Sequence, residues 1–147
     1  MDPGPRWLIP ARADLTSMTA LPVPLFIEQG ATFAMGFTWC RESDPPTVPP
    51  TAGAPYDLTD AVVRMQIRKT YKSPPILDLT TGVGETRLVI DDPSTSGHVS
   101  LKLTATDTGL LTADAIYDLE IQLPNGDVRR ILEGSVTVDL NVTRAFP

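Results

Sequence analysis

The sequence predicts an all-β fold of about seven to nine strands, and three observations carry that expectation. Apolar side chains recur at every second position in several separate runs, most plainly in residues 116–140, IYDLEIQLPNGDVRRILEGSVTVDL; a period of 2 sorts side chains onto the two faces of a pleated strand. Turn chemistry interrupts these runs at roughly 8 to 12 residue intervals, the spacing of a β-sandwich. The chain also holds 15 prolines against 10 glycines and few Ala/Glu/Lys-rich windows, which disfavours a helical bundle, because an interior proline removes a donor and clashes with the preceding turn. Prolines fit loops and sheet edges instead. At 147 residues the length is that of one domain, enough to bury a core if most strands pair.

Residues 1–20 contain three prolines and show neither strand nor helix period, so they read as an extended N-terminal arm ahead of a domain at 21–147. Trp7, Leu8 and Ile9 lie in that arm. Apolar groups on such a segment are costly to leave wet, so they either pack back on their own domain or insert into a neighbouring subunit. From Val23, VPLFIEQ is a short β-type run. Phe33, Met35, Phe37 and Trp39 then share one face and Ala34, Gly36, Thr38 and Cys40 the other, the pattern of a half-buried strand. RESDPPTVPPTAGAP, 41–55, carries five prolines and is expected as a surface loop or lid; a polyproline ligand for another protein is the weaker reading. In 57–60, DLTD offers acid and hydroxyl groups that bond back to backbone N–H groups in a tight turn.

Ala61, Val63, Met65 and Ile67 point one way and Arg64, Gln66 and Arg68 the other. The arginines belong to a solvated sheet face, or else pair with an acidic neighbouring subunit. ILDL, 76–79, is a candidate edge strand. Leu88 and Ile90 form a short strand, and Val99, Leu101 and Leu103 point inward from the next, leaving His98, Ser100 and Lys102 outside. Residues 104–114 break the alternation and suit one helical turn with Thr106 or Asp107 as N-cap, crossing between sheets. Tyr117, Leu119, Ile121 and Leu123 then face the core. Asn125-Gly126 between two alternating runs signals a hairpin whose tight turn needs positive φ at both central residues. Beyond it Val128, Arg130, Leu132, Gly134, Val136, Val138, Leu140 and Val142 share one parity. That run is long for one strand, so a bend or bulge is expected near Gly134 where the chain passes from one sheet to the other.

Composition narrows the function classes. Lys and Arg total 12 against 18 Asp and Glu, a formal charge of −6, with only the short basic run Arg64, Arg68, Lys69, Lys72; a nucleic-acid partner would want the opposite balance. Cys40 is the only cysteine, so no intrachain disulfide forms, and as a nucleophile it would need a histidine and a positioning acid, whereas the one histidine, His98, is on a different strand. No window approaches the roughly 20 apolar residues of a membrane helix. MDPGPRWLIPARADLTSM has an acid and prolines where a signal peptide carries a basic and then an apolar stretch, so the chain is expected to stay in the cytoplasm until assembly. Glycines 82 and 84 fit no phosphate loop, since no lysine or helix start follows. The acids of 57–60 lack the spacing and ligand number for calcium. A hydrolase using Asp91, Asp92 or Asp107 is the rival reading, but these acids sit in turn contexts that account for them as caps and turn formers. No cofactor, metal ion or catalytic residue is therefore expected.

Two signatures reach beyond fold class. Ala115-Ile116-Tyr117-Asp118-Leu119 resembles the A-x-Y-x-C corner of immunoglobulin domains, in which the tyrosine hydroxyl bonds to upstream backbone; Leu119 stands where the disulfide cysteine would be, so the likeness is to a disulfide-free Ig-like domain. The ordered phrases QGATFAMGFTW, YDLTDAVVRMQIRK, LKLTATDTGLL and YDLEIQLPNGDVRRILEGSVTV, ending in VTR, are similar to the Ig-like domains of tailed-bacteriophage virions, notably the N-terminal domain of baseplate upper proteins, over about residues 22–144. The arm and the insert 41–55 depart from that pattern, and no receptor-binding or helical extension follows, so the module is expected to stand alone. The resemblance implies an immunoglobulin-like antiparallel β-sandwich and a non-enzymatic structural protein of the virion, in the tail, baseplate or neck, present in symmetric copies and bound to other virion proteins, with no nucleic-acid or membrane partner. Trp7, Leu8 and Ile9 are the expected arm anchor, with Arg64, Arg68 and the loop 41–55 as further contacts. Capsid decoration and carbohydrate or receptor binding are the alternatives; the last would need exposed aromatics, and only Tyr56 and Tyr71 fall off the core faces.

Overall fold

The computed structural model describes residues 6–11, 20–42 and 52–143, and for residues 6–11, 41, 42, 52 and 53 the backbone alone. The chain is all-β with almost no helix, built as two sheets. The strands are β1 (Arg6–Ala11), β2 (Leu21–Pro22), β3 (Leu25–Glu28), β4 (Phe33–Glu42), β5 (Ala52–Pro55), β6 (Val62–Arg68), β7 (Pro75–Thr80), β8 (Leu88–Ile90), β9 (His98–Leu103), β10 (Ala115–Gln122) and β11 (Val128–Asp139). One sheet runs β1-β4-β9-β8 with β5 also paired to β4; the other runs β2-β11-β10-β6-β7 with β3 also paired to β11. Met35, Phe37, Trp39, Val99 and Leu101 of the first sheet and Val63, Met65, Ile67, Leu119, Ile121, Leu132 and Val136 of the second are buried in one shared core. Burying a side chain of the Phe37 or Met65 kind contributes about 1.5–3 kcal/mol. The space between Met35, Phe37, Met65, Val99 and Leu119 holds no water-sized void.

Pairing departs from the antiparallel expectation in two places. β1 is parallel to β4, and β2 and β3 are parallel to β11. None of these partners are neighbours in sequence, so no hairpin constrains their direction. The arm is thus in part a strand: residues 6–11 pair with β4 although their sequence shows no alternation, because a backbone ladder needs only N–H and C=O groups. Residues 12–19 lie outside the described residues. The loop 41–55 shrinks from both ends, with Arg41 and Glu42 continuing β4 and Ala52–Pro55 pairing back on it; residues 43–51 lie outside the described set. VPLFIEQ enters its ladder only at Leu25, as β3, and a separate two-residue β2 precedes it, since Pro24 cannot donate to the ladder.

The strand at 33–40 is buried on both faces from Met35 to Cys40, not half-buried. β7 occupies a sheet edge as expected. The helical turn α1 (Ala105–Gly109) has Thr104 as its N-cap, two residues ahead of Thr106 and three ahead of Asp107, the expected caps; Asp107 is at N3 and completes a capping box. The hairpin is also of another kind. Leu123 accepts from the Gly126 N–H at 2.9 Å and donates to the Asp127 carbonyl at 2.8 Å, and Gly126, not Asn125, has positive φ. This is a three-residue loop closed by a left-handed glycine, which suits Pro124, whose fixed negative φ fits the first central position. In β11 the register slips at Ile131: Leu119 faces Leu132 and Glu120 faces Arg130. Arg129 and Ile131 are buried before the slip, Leu132 and Val136 after it, so the bulge lies three residues before Gly134 and resets parity. β11 stays in one sheet throughout. It ends at Asp139, and Leu140 and Val142 are exposed, outside the core.

Candidate interaction surfaces

Four regions carry the side chains singled out from sequence, and each is set by its strand register. On the outer face of the second sheet, Arg64 of β6 reaches Asp78 of β7 through Nε at 3.3 Å and Nη2 at 3.1 Å. Its hydrogen bonds hold the Asp78 carboxyl below the usual carboxylate range against the opposing effect of burial. Arg68 donates to the Ser73 carbonyl at 2.6 Å and to Gln66 Oε1. Both arginines therefore have partners within the chain, where an acidic neighbouring subunit was the other expectation. The next two strands place Asp118 directly opposite Glu133, a like-charge pair that costs stability unless neutralised; Arg130 sits 3.4 Å from each. Gln66, Arg68, Tyr71, Asp118, Glu120 and Arg130 line a polar hollow of about 680 Å³ on this face. Tyr71 at its rim is 90% exposed.

A second hollow, of about 760 Å³, lies at one end of the molecule between the β3–β4 connection, α1 and the end of β11. Glu28, Gly30, Thr106, Leu110, Leu140 and Asn141 are among its lining residues. Leu110 and Leu140 are more than half exposed, and Val142 almost wholly so. Sequence reasoning missed this place because Leu140 and Val142 continue the parity of β11 past the point where pairing stops. The one available signal was Leu110, an apolar side chain in a segment without alternation.

The third region is the edge where β1 lies on β4, with Trp7 opposite Phe37, Leu8 opposite Thr38 and Ile9 opposite Trp39. The backbone of the expected anchor is thereby placed, while its side chains lie outside the described residues. Below this edge Trp39 stacks on Tyr56, rings 4.2 Å apart and 14° from parallel, so Tyr56 packs against the core instead of flanking an open loop. Gly97 is needed here: its φ is +69°, and a Cβ would come 2.6 Å from the Trp39 carbonyl oxygen.

The fourth region comprises the ionisable and nucleophilic groups weighed for chemistry. Asp107 accepts from the Thr104 N–H and hydroxyl, both at 2.9 Å, and from Arg87 at 3.1 Å. Burial works to raise its carboxyl pKa, and these bonds outweigh it and hold the group low. Glu85, also on Arg87, is held low chiefly by that guanidinium. Asp91 accepts from Ser100 at 2.6 Å, and Asp92 is exposed. Asp57 accepts from the Thr59 N–H at 2.9 Å, the expected tight turn. His98 is half-buried and hydrogen-bonded to Thr38, more engaged than the plain surface histidine expected. Cys40 is buried, which pushes its thiol pKa up, away from a reactive thiolate.

Tyr117 sits opposite Gly134 across β10 and β11, and its hydroxyl donates to the Val23 carbonyl at 2.6 Å. The bond runs to upstream backbone, as an immunoglobulin-type corner implies, but to a residue 94 positions earlier, in the link between β2 and β3. Among the described residues no three His, Cys, Asp or Glu side chains gather as metal ligands, and no helix is long and apolar enough to cross a membrane. No protein-family model matches this chain, and no curated protein matches it in sequence.

Proposed function

We propose that the chain is a non-enzymatic structural component of a tailed-phage virion, an Ig-like β-sandwich that serves as an assembly module of the tail, baseplate or neck. The observation that carries the assembly reading is that two exposed apolar side chains, Leu110 and Leu140, line one hollow at an end of the two-sheet body, with the exposed Val142 two residues beyond Leu140; apolar groups grouped at a rim mark a protein contact more often than a solvated surface. Support for the Ig-like assignment comes from the shared core of the two sheets and from the Tyr117 hydroxyl bond to upstream backbone. The phage setting rests on the resemblance of the strand phrases. A modest contact suffices in such a setting, because symmetric repetition adds avidity without large area per copy.

A second reading, carbohydrate or receptor binding, is favoured by one feature: the exposed Tyr71 beside the polar hollow of the outer sheet face. The deciding experiment is to locate and count this chain in purified particles by quantitative mass spectrometry and cryo-electron microscopy. A ring of copies about the tail axis is the expected result. Icosahedral copies would move the module to capsid decoration, and its absence from particles would overturn the virion reading. Glycan-array binding lost in Tyr71→Ala would support the second.

A further inference from the structure

β4 is the longest uninterrupted apolar strand of the first sheet, and its two edges are treated differently. One is covered by β9 over Phe33–Thr38 and then by β5 from Cys40. The other is covered by β1 alone, over Gly36–Arg41. An unpaired strand edge is a template for any extended chain, and sheets guard such edges with prolines, charges or short length. The remaining sheet edges among the described residues carry such guards. β2 ends in Pro22; β3 follows Pro24, is four residues long and ends in Glu28; β5 ends in Pro55; β7 begins at Pro75 after Pro74 and carries Asp78; β8 is three residues long. Phe33–Cys40, FAMGFTWC, has neither a proline nor a charge. Its edge is protected only by residues 6–11.

We propose that this edge of β4 is a strand-acceptor site for a second copy of the chain, which donates its own residues 6–11 in place of the resident β1. The donor and the resident are the same sequence, so the ladder formed is the same, and only effective concentration decides which copy supplies it. β1 is suited to leave, since it is held on one side only, by a parallel ladder, and Pro10 lacks an N–H to give to it. Residues 12–20 connect it to β2; at about 3.5 Å each they span at most about 30 Å, enough to cross to an adjacent copy. The exchange concerns the isolated chain, and it stands or falls independently of the virion reading.

The single natural cysteine supplies a readout, because Pro10 and Cys40 are register partners. In Pro10→Cys the two cysteines would occupy paired positions, whose Cα separation of about 5 Å lies within disulfide range. Under oxidised glutathione, crosslinked dimers and larger species should rise from a minor to a major fraction as the protein goes from about 10 μM to about 1 mM, the range over which a flexible tether competes, and should vanish in Pro10→Cys/Cys40→Ser. Crosslinked monomer alone at every concentration overturns the exchange, and no crosslink of either kind removes the β1–β4 register beneath it. A second measurement does not depend on that variant: the chain lacking residues 1–11 should bind a synthetic peptide of residues 1–20 saturably and gain several degrees in Tm, and failure to bind overturns the acceptor site.

Discussion

The hydroxyl of Tyr117 ties the β10–β11 pair to the segment between β2 and β3, and burial, aided by the charge of Glu133, pushes its pKa up so that it stays protonated and donating. In Tyr117→Phe the Val23 carbonyl loses this partner inside the protein, which costs about 1–2 kcal/mol; the urea midpoint should fall with an unchanged m-value. Gly134 serves the same junction. A Cβ there would stand 2.8 Å from the Val23 carbonyl oxygen, so Gly134→Ala should destabilise by about 1–3 kcal/mol through displaced backbone, measured the same way. Tyr117 was legible as a buried, hydroxyl-bonding residue from its corner motif, whereas its acceptor was not, because nothing local relates it to Val23. His98 and Thr38 illustrate the same gap: both lie on the outward parity of their strands, and only the β4–β9 register brings them together.

At the scale of elements, the capping box of α1 gathers Thr104, Asp107 and Arg87, with Glu85 on the same guanidinium. Both carboxyls are held low in the folded chain. A depressed carboxyl contributes stability that is complete above its unfolded pKa of about 4 and is lost as pH falls through the lower folded value. Acid unfolding should therefore set in below about pH 4, and Asp107→Asn should flatten that limb while lowering stability at neutral pH; thermal midpoints across pH test it, and an unchanged acid limb would refute it. The bulge in β11 makes a sharper case. Ile131 is the extra residue that lets Arg129 and Leu132 both point inward. Deleting it would close the ladder into unbroken alternation, with Arg130 still opposite Glu120 and Leu132 opposite Leu119, and would remove one buried side chain; the expected result is cooperative unfolding retained with stability lowered by about 2–5 kcal/mol, read from the urea midpoint. The alternation of this run was plain, but a bulge that falls on an apolar residue hides in it, because Ile131 fits the apolar class in either frame.

For the whole molecule, the guarded edges direct association away from strand addition, β4 apart, and toward faces and ends. Leu110→Lys/Leu140→Lys alters exposed side chains at the end hollow, so unfolding stability should stay within about 0.5 kcal/mol of the parent, while incorporation into particles, counted by mass spectrometry, should drop several-fold. Unchanged incorporation would take this end out of the assembly contact.

Alternation and turn chemistry by themselves determined that the chain is all-β, which residues of β4, β6, β9 and β10 form the core, and that β7 lies at an edge, because those properties follow from the two-residue period and from proline and glycine backbone preferences. Tertiary structure alone decided that residues 6–11 pair with β4, that β2 and β3 run parallel to β11, and that parity resets at Ile131. It also decided which apolar side chains remain at the end hollow. These features depend on which backbone hydrogen bonds close between distant segments, and a ladder can form between almost any two extended stretches without leaving a mark in either one's side chains.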